Sequence, residues 1–236
     1  MVRHDFKKVV FVIVEGPSDE TALGLILEKI FDGEKVYVYV TFGDITTKRG
    51  THSDNVVRKI EECVRQYRTQ YHLQKTDFLG IIHIVDTDGA FVPNTCVVED
   101  RTAEDTIYTE AEIRTNDKSK IELRNKQKRE NIGRLSVVKD ISSIPYRIFY
   151  MSSNLDHVLY DCQMSTDEEK EGNSYQFAKK YRTDIEGFLE FISTSPFSVQ
   201  GTYKGSWIFI KEGRNSLQRY TNLGLCLSTK QIKELY

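Results

Sequence analysis

Cysteine is scarce in this chain and never paired: Cys63, Cys96, Cys162 and Cys226 lie far apart, with no C-x-x-C among them. That spacing argues against a zinc knuckle and for a reducing compartment, so the expectation is a cytoplasmic protein. Long apolar runs are missing too. The run near the start, Val9–Val14, is too short for a signal-peptide core, and nothing approaches the length needed to cross a bilayer. A dominant charge is also absent: 33 lysines and arginines face 35 aspartates and glutamates, a net charge of −2. Such a balance neither demands nor forbids a nucleic-acid partner, because a local patch decides that. No internal repeat or clear linker divides the 236 residues, and no Ser–His–acid or Cys–His set emerges from the spacing.

What is present centres on Val9–Glu20, VVFVIVEGPSDE. Six consecutive apolar residues, rich in valine and isoleucine, suit a strand buried on both faces of a parallel sheet. The run stops at Glu15-Gly16, where glycine permits a tight turn and Ser18 or Asp19 can cap a following helix. Asp19–Phe31 then carries Leu23, Ile26, Leu27 and Ile30 at helical spacing. Lys35–Thr41 reads as a second strand, Ser53–Tyr71 as a helix, and Asp77–Val85 as a third strand that again ends on acid, Asp86-Thr87-Asp88-Gly89. Strands alternating with helices predict an α/β fold: a Rossmann-type central parallel sheet flanked by helices.

The middle of the chain breaks this rhythm. Glu99–Glu112 holds six acids against one arginine, and Arg114–Lys139 holds nine lysines and arginines against three acids. With few large apolar residues, the stretch of about 99–140 reads as a charged insertion or mobile excursion. Ile144–Met151 resumes as a strand and Leu155–Tyr160 as a short helix. Thr166–Asn173 reads as a loop, Ser174–Ile192 as one amphipathic helix, and Trp207–Lys211 as a strand. The expected organisation is an α/β domain over 1–161 and a C-terminal helical or α+β cap over 162–236.

In a parallel sheet all carboxyl ends share one rim, where ligands bind. Glu15 and Asp86 should therefore meet there, and Asp88, two residues on, should point to the same side if strand geometry persists. Converging carboxylates repel one another unless a divalent cation shares them, and oxygen-only ligands suit Mg²⁺ or Mn²⁺. A hard cation binds phosphate oxygens and a spare carboxylate moves a proton, which is phosphodiester chemistry. The competing reading of Asp86–Gly89 is a solvated turn.

Apolar strand, Glu-Gly, two residues, acid, then some seventy residues later apolar strand and Asp-x-Asp: this pattern resembles the Toprim domain. That metal-binding fold is shared by topoisomerases, bacterial primases, recombination-mediator proteins and OLD-family nucleases. The resemblance spans about 8–161. It implies Glu15 as the acid/base glutamate, Asp86 and Asp88 as the metal pair, Asp19 nearby, and Asp156 after the fourth strand as a further metal ligand. The loop at Gly43-Asp44 stands where OLD-type members carry a glycine-rich loop. Gly89 follows the acid pair at once, a departure from many members. No Gly-x-x-x-x-Gly-Lys-Ser/Thr run is present, so the ATPase module of full-length OLD proteins is missing, and so are the zinc cysteines of primases.

The expected function is thus Mg²⁺- or Mn²⁺-dependent cleavage of phosphodiesters, a nuclease on DNA or RNA, with Glu15, Asp86 and Asp88 catalytic. Lys48, Arg49, Arg124, Lys126, Lys128 and Arg129 are the candidate phosphate-backbone contacts; the basic stretch reads equally as a solvated helix paired with the acids before it. Two alternatives stay open: a non-catalytic module for nucleic acid or a partner protein, as in a phage-defence system, and a phosphotransferase or phosphatase on small nucleotides. Nucleic acid is the expected partner, a homodimer is open, and no membrane contact is expected. His83 is expected inside the third strand as a hydrogen-bonded core residue, and His157 near the crevice.

Overall fold

A computed structural model describes residues 7–32 and 34–227. Its core is a five-stranded sheet in the order β2-β1-β3-β8-β7, formed by β1 (Val9–Val14), β2 (Lys35–Val40), β3 (Phe78–Asp86), β7 (Asp140–Ile141) and β8 (Ile144–Met151). The first four pair in parallel; only the two-residue edge strand β7 runs antiparallel. The fold is α/β with a mixed, mostly parallel sheet flanked by helices.

β1 is wholly buried because helices cover both faces of the sheet and side chains alternate between them. Val10, Val12 and Val14 face one layer, formed by α1 (Pro17–Ile30), α4 (Leu155–Tyr160), α5 (Asp167–Tyr181), α6 (Ile185–Thr194) and α8 (Gly224–Leu227). Phe11 and Ile13 face the other, formed by α2 (Val56–Gln70), the C-terminal turns of α3 (Lys118–Leu135), and α7 (Tyr203–Phe209). Each large side chain buried in these layers contributes about 1.5–3 kcal/mol relative to exposure. A small second sheet, β4 (Val97–Glu99), β6 (Ile113–Thr115) and β5 (Ile107–Tyr108), packs with Ile121 and Leu217.

Several expectations need correction. The stretch 99–140 is no loose excursion: it builds the small sheet and α3, an 18-residue helix whose Ile121, Asn125, Lys128, Asn131, Ile132 and Leu135 are buried. Trp207 lies on helix α7 and not on a strand. The single late helix is two, α5 and α6, because the Asp184 carboxylate accepts the Gly187 amide at 3.0 Å and starts α6 afresh. The predicted loop 166–173 is the first part of α5, with Thr166 and Glu169 capping each other's amides. The helices of 162–227 pack onto the sheet, with Phe177, Tyr181, Phe188 and Ile192 in the same layer as β1 and α1. Among the described residues no helix is long and apolar enough to cross a membrane.

Candidate active site at the carboxyl rim

Because β1 and β3 are adjacent and parallel, their acidic ends do reach one rim. The Asp86 amide donates to Oε1 of Glu15 at 3.2 Å, so the glutamate straddles the two strand ends. Gly16 is extended and starts α1 immediately, and Asp19 Oδ2 folds back to accept the amides of Gly16 (2.9 Å) and Glu15 (3.2 Å). Asp19 is thus a cap, and it also faces the rim. A cleft of about 470 Å³ opens here, lined by Glu15, Asp19, Gly43, Asp86, Asn154, Asp156 and Lys170 among others. Asn154 caps α4 by accepting the His157 amide at 2.8 Å, which fixes Asp156 in the helix's first turn. Asp156 is 5 % exposed, and its Oδ2 has no hydrogen-bond partner among the described residues.

The electrostatics of this rim are unbalanced. Burial pushes the Glu15 carboxyl well above the usual range; Lys128 pulls it back, and Asp44, Asp88 and Asp19 push further. Asp86 is raised by burial and then by Glu15, Asp19 and Asp88. Asp19 reaches about 6, raised chiefly by burial and partly by Asp156, against the opposing pull of the Gly16 amide. Asp156 itself is raised by burial. These acids share too little positive charge to ionise together comfortably.

Asp88 does not complete the group. Its backbone turns left-handed (φ +46°), its amide donates to the Ser153 carbonyl at 2.7 Å, and its carboxylate pairs with Lys128 outside the cleft lining. Lys128 also lies 2.9 Å from Asp44, which accepts Thr46 and Thr47 hydroxyls as well. Burial raises the Asp44 carboxyl, but the lysine and the hydroxyls outweigh it and bring it to about 2. This buried Asp44–Lys128–Asp88 triad was not foreseen. The signal was present as a 4-3-4-3 stripe, Ile121, Asn125, Lys128, Ile132, Leu135, legible only if polar residues are allowed in the buried face.

The basic candidates divide accordingly. Lys128 is wholly buried and cannot reach a nucleic-acid backbone. Arg124 is engaged with the Asp88 carbonyl (2.9 Å) and the Tyr108 hydroxyl, and Arg129 with the Ala90 carbonyl (2.7 Å), so both clamp the turn after β3. Lys48, Arg49 and Lys126 are exposed. Lys170, absent from the expected set, reaches the cleft from α5. His83 bonds the Tyr146 hydroxyl at 2.8 Å within the core and is lowered to about 4 by burial. His157 is buried outside the cleft lining, its ring pulled down by burial.

No protein-family model, curated protein or solved structure matches this chain. What favours a cation is the donor set itself. Among the described residues, no three His, Cys, Asp or Glu side chains cluster tightly enough to form a ready-made cage. The chemistry of the donors nevertheless fits Mg²⁺ or Mn²⁺: oxygen ligands only, excess negative charge, and a cleft lined by Asp156, whose buried Oδ2 has no hydrogen-bond partner among the described residues. Magnesium is commonly held by one or two carboxylates, with water and substrate phosphate supplying the rest.

Proposed function

We propose that this chain is a metal-dependent phosphodiester-cleaving enzyme, a nuclease on DNA or RNA, with a Toprim-like site at the carboxyl rim. One observation carries the reading: Glu15 and Asp86, from strands 71 positions apart, share a hydrogen bond at the mouth of an open cleft while both are held above the normal carboxylate range. Glu15 and Asp86 would hold Mg²⁺ or Mn²⁺, with Asp156 as a further ligand and Asp19 bracing the Glu15 backbone. When bound, such a cation neutralises phosphate charge and polarises the bond to be broken.

The chain's own groups supply the rest. Glu15 serves in one of two roles: as an ionised ligand of the cation or, with the ion on Asp86 and Asp156, as the group that exchanges a proton with water or the leaving oxygen, which its raised proton affinity suits. Lys170, which lines the cleft and pulls down the Asp19 and Asp156 carboxyls, offers a positive charge to a phosphate. Lys48, Arg49 and Lys126 are exposed on neighbouring surface, Gln127 joining the loop to α3 through the Thr51 carbonyl at 3.0 Å. They suit a backbone contact, whereas Asp88 acts as an anchor for Lys128.

A non-catalytic module is the second reading, favoured by the neutralisation of Asp88 by Lys128. Calorimetry with MnCl₂ and cleavage assays on plasmid, single strands, RNA and nucleotides separate the two. Metal binding together with cleavage that disappears in Asp86→Asn supports the enzyme. Unchanged cleavage in that variant, or no binding at millimolar metal, overturns it.

A further inference from the structure

A second concavity, of about 460 Å³, opens beside β8 between the turn after α3 and helix α7. It shares no lining residue with the acidic cleft. β7 pairs only with Ile144 and Pro145, so α7 covers β8 beyond that point, and Tyr203 and Trp207 form the pocket floor. Val137 and Ile208, 68 % and 54 % exposed, add an uncovered apolar edge.

The rim is of one sign. Lys139, Arg147, Lys204 and Lys211 stand around this floor, and no acid lines it. Among the described residues none of the four joins an ion pair. Arg147 is held in place: Nη1 donates to the Tyr146 carbonyl at 2.9 Å, and its guanidinium lies 5.7 Å from the Tyr203 ring centre. Trp207 is 4 % exposed, and its indole N–H has no hydrogen-bond partner of good geometry among the described residues. The nearby Tyr203 hydroxyl donates to the Ile148 carbonyl at 3.0 Å and keeps its lone pairs toward the indole N–H.

We propose that this pocket binds a small organic anion with an apolar body, of the class of aromatic or acyl phosphates, sulfonates and carboxylates. The cavity has the volume of a small-molecule site, an apolar floor to take the body, and unpaired cations placed to take the charge. A peptide or polynucleotide strand would need a longer groove than these residues provide. The inference is independent of the chemistry at the carboxyl rim.

Trp207 is the only tryptophan in the sequence, so intrinsic tryptophan emission reports on this pocket alone. Titrating the full chain with 8-anilinonaphthalene-1-sulfonate, adenosine 5′-monophosphate and decanoate distinguishes the aromatic from the acyl source. At least one is expected to give a saturable change with a dissociation constant below roughly 1 mM. The double variant Lys204→Glu, Lys211→Glu, on two exposed positions, should weaken it about tenfold or more, as should Arg147→Gln. Adenosine and decanol, which lack the charge, should bind at least about tenfold more weakly than their anions. No saturable response to any probe, equal binding of charged and neutral partners, or undiminished binding by the variants would each overturn the assignment.

Discussion

The ammonium of Lys128 lies 2.9 Å from the carboxylate of Asp44, with none of the lysine side chain reaching solvent. The same ammonium pairs with Asp88, so one cation joins α3, the loop after β2 and the turn after β3. Burial alone would lower the lysine's hold on its proton, but Asp44, Asp88 and Glu15 outweigh it and raise it. Lys128→Met should leave the Asp44 and Asp88 carboxylates, 12 % and 28 % exposed, without a counter-ion and cost roughly 2–4 kcal/mol in urea unfolding, between a surface pair and a buried one. Adding Asp44→Asn should recover part of that loss. A change below about 1 kcal/mol in the single variant would mean that solvent already screens the triad.

Asp44 makes the acid limb of stability predictable. Its folded carboxyl sits at about 2 against an ordinary 3.8. A lowered carboxylate contributes stability that is present above the unfolded value and is lost as the pH falls through the folded one. The shift corresponds to about 2 kcal/mol, so the wild type should lose its advantage over Asp44→Asn between roughly pH 4 and pH 2. Parallel melting curves of the two proteins across that window would remove Asp44 from the account.

Glu15 and Asp86 act with the opposite sign. Their folded values are raised, so the metal-free protein is favoured at low pH and loses that contribution as the pH climbs through the shifted values. Glu15→Gln and Asp86→Asn should therefore melt at or above the wild-type temperature at neutral pH, with the difference growing as the pH rises above the ordinary carboxylate range. The wild type alone should gain stability on addition of MnCl₂. A variant that melts lower at pH 8 than the wild type without metal would show that the carboxylates are already satisfied.

The strands that bear the acids are readable because β1 is an unbroken apolar run and β3 an apolar run interrupted by His83, each ended by a charge. β8 and α4 were found at their observed limits, Ile144–Met151 and Leu155–Tyr160. α3 departs from its sequence reading for a physical reason: three of its six buried positions are Asn125, Lys128 and Asn131, of which Lys128 and Asn131 bond partners far away in the chain while Asn125 accepts from its neighbour Arg124. Local composition counts such residues as solvent-seeking, and only their long-range bonds reverse that. Asp88 failed similarly. Alternation placed it beside Asp86, but the positive φ at Asp88 itself ends the strand geometry on which the argument depended. The Trp207 segment shows the limit of a short apolar window, where strand and helix periods look alike.

Gly89 decides whether that turn can form. Its φ is +65°, and a Cβ added there would lie 2.4 Å from Leu217 Cδ2 and 3.1 Å from Ile113 Cδ1. Alanine would carry both the left-handed penalty of about 1–2 kcal/mol and the overpacking of a filled site, a further 1–3 kcal/mol or so. Gly89→Ala is therefore expected to lose roughly 2–5 kcal/mol in denaturant unfolding. The two contributions are separable, because Leu217→Ala in the same background opens the clash but not the dihedral. Partial recovery, leaving about 1–2 kcal/mol of deficit relative to Leu217→Ala alone, is expected. Full recovery would assign the whole effect to the contact with Leu217. No loss in the single variant would mean that the turn after β3 takes another shape, and with it the separation of Asp88 from Asp86 would fall.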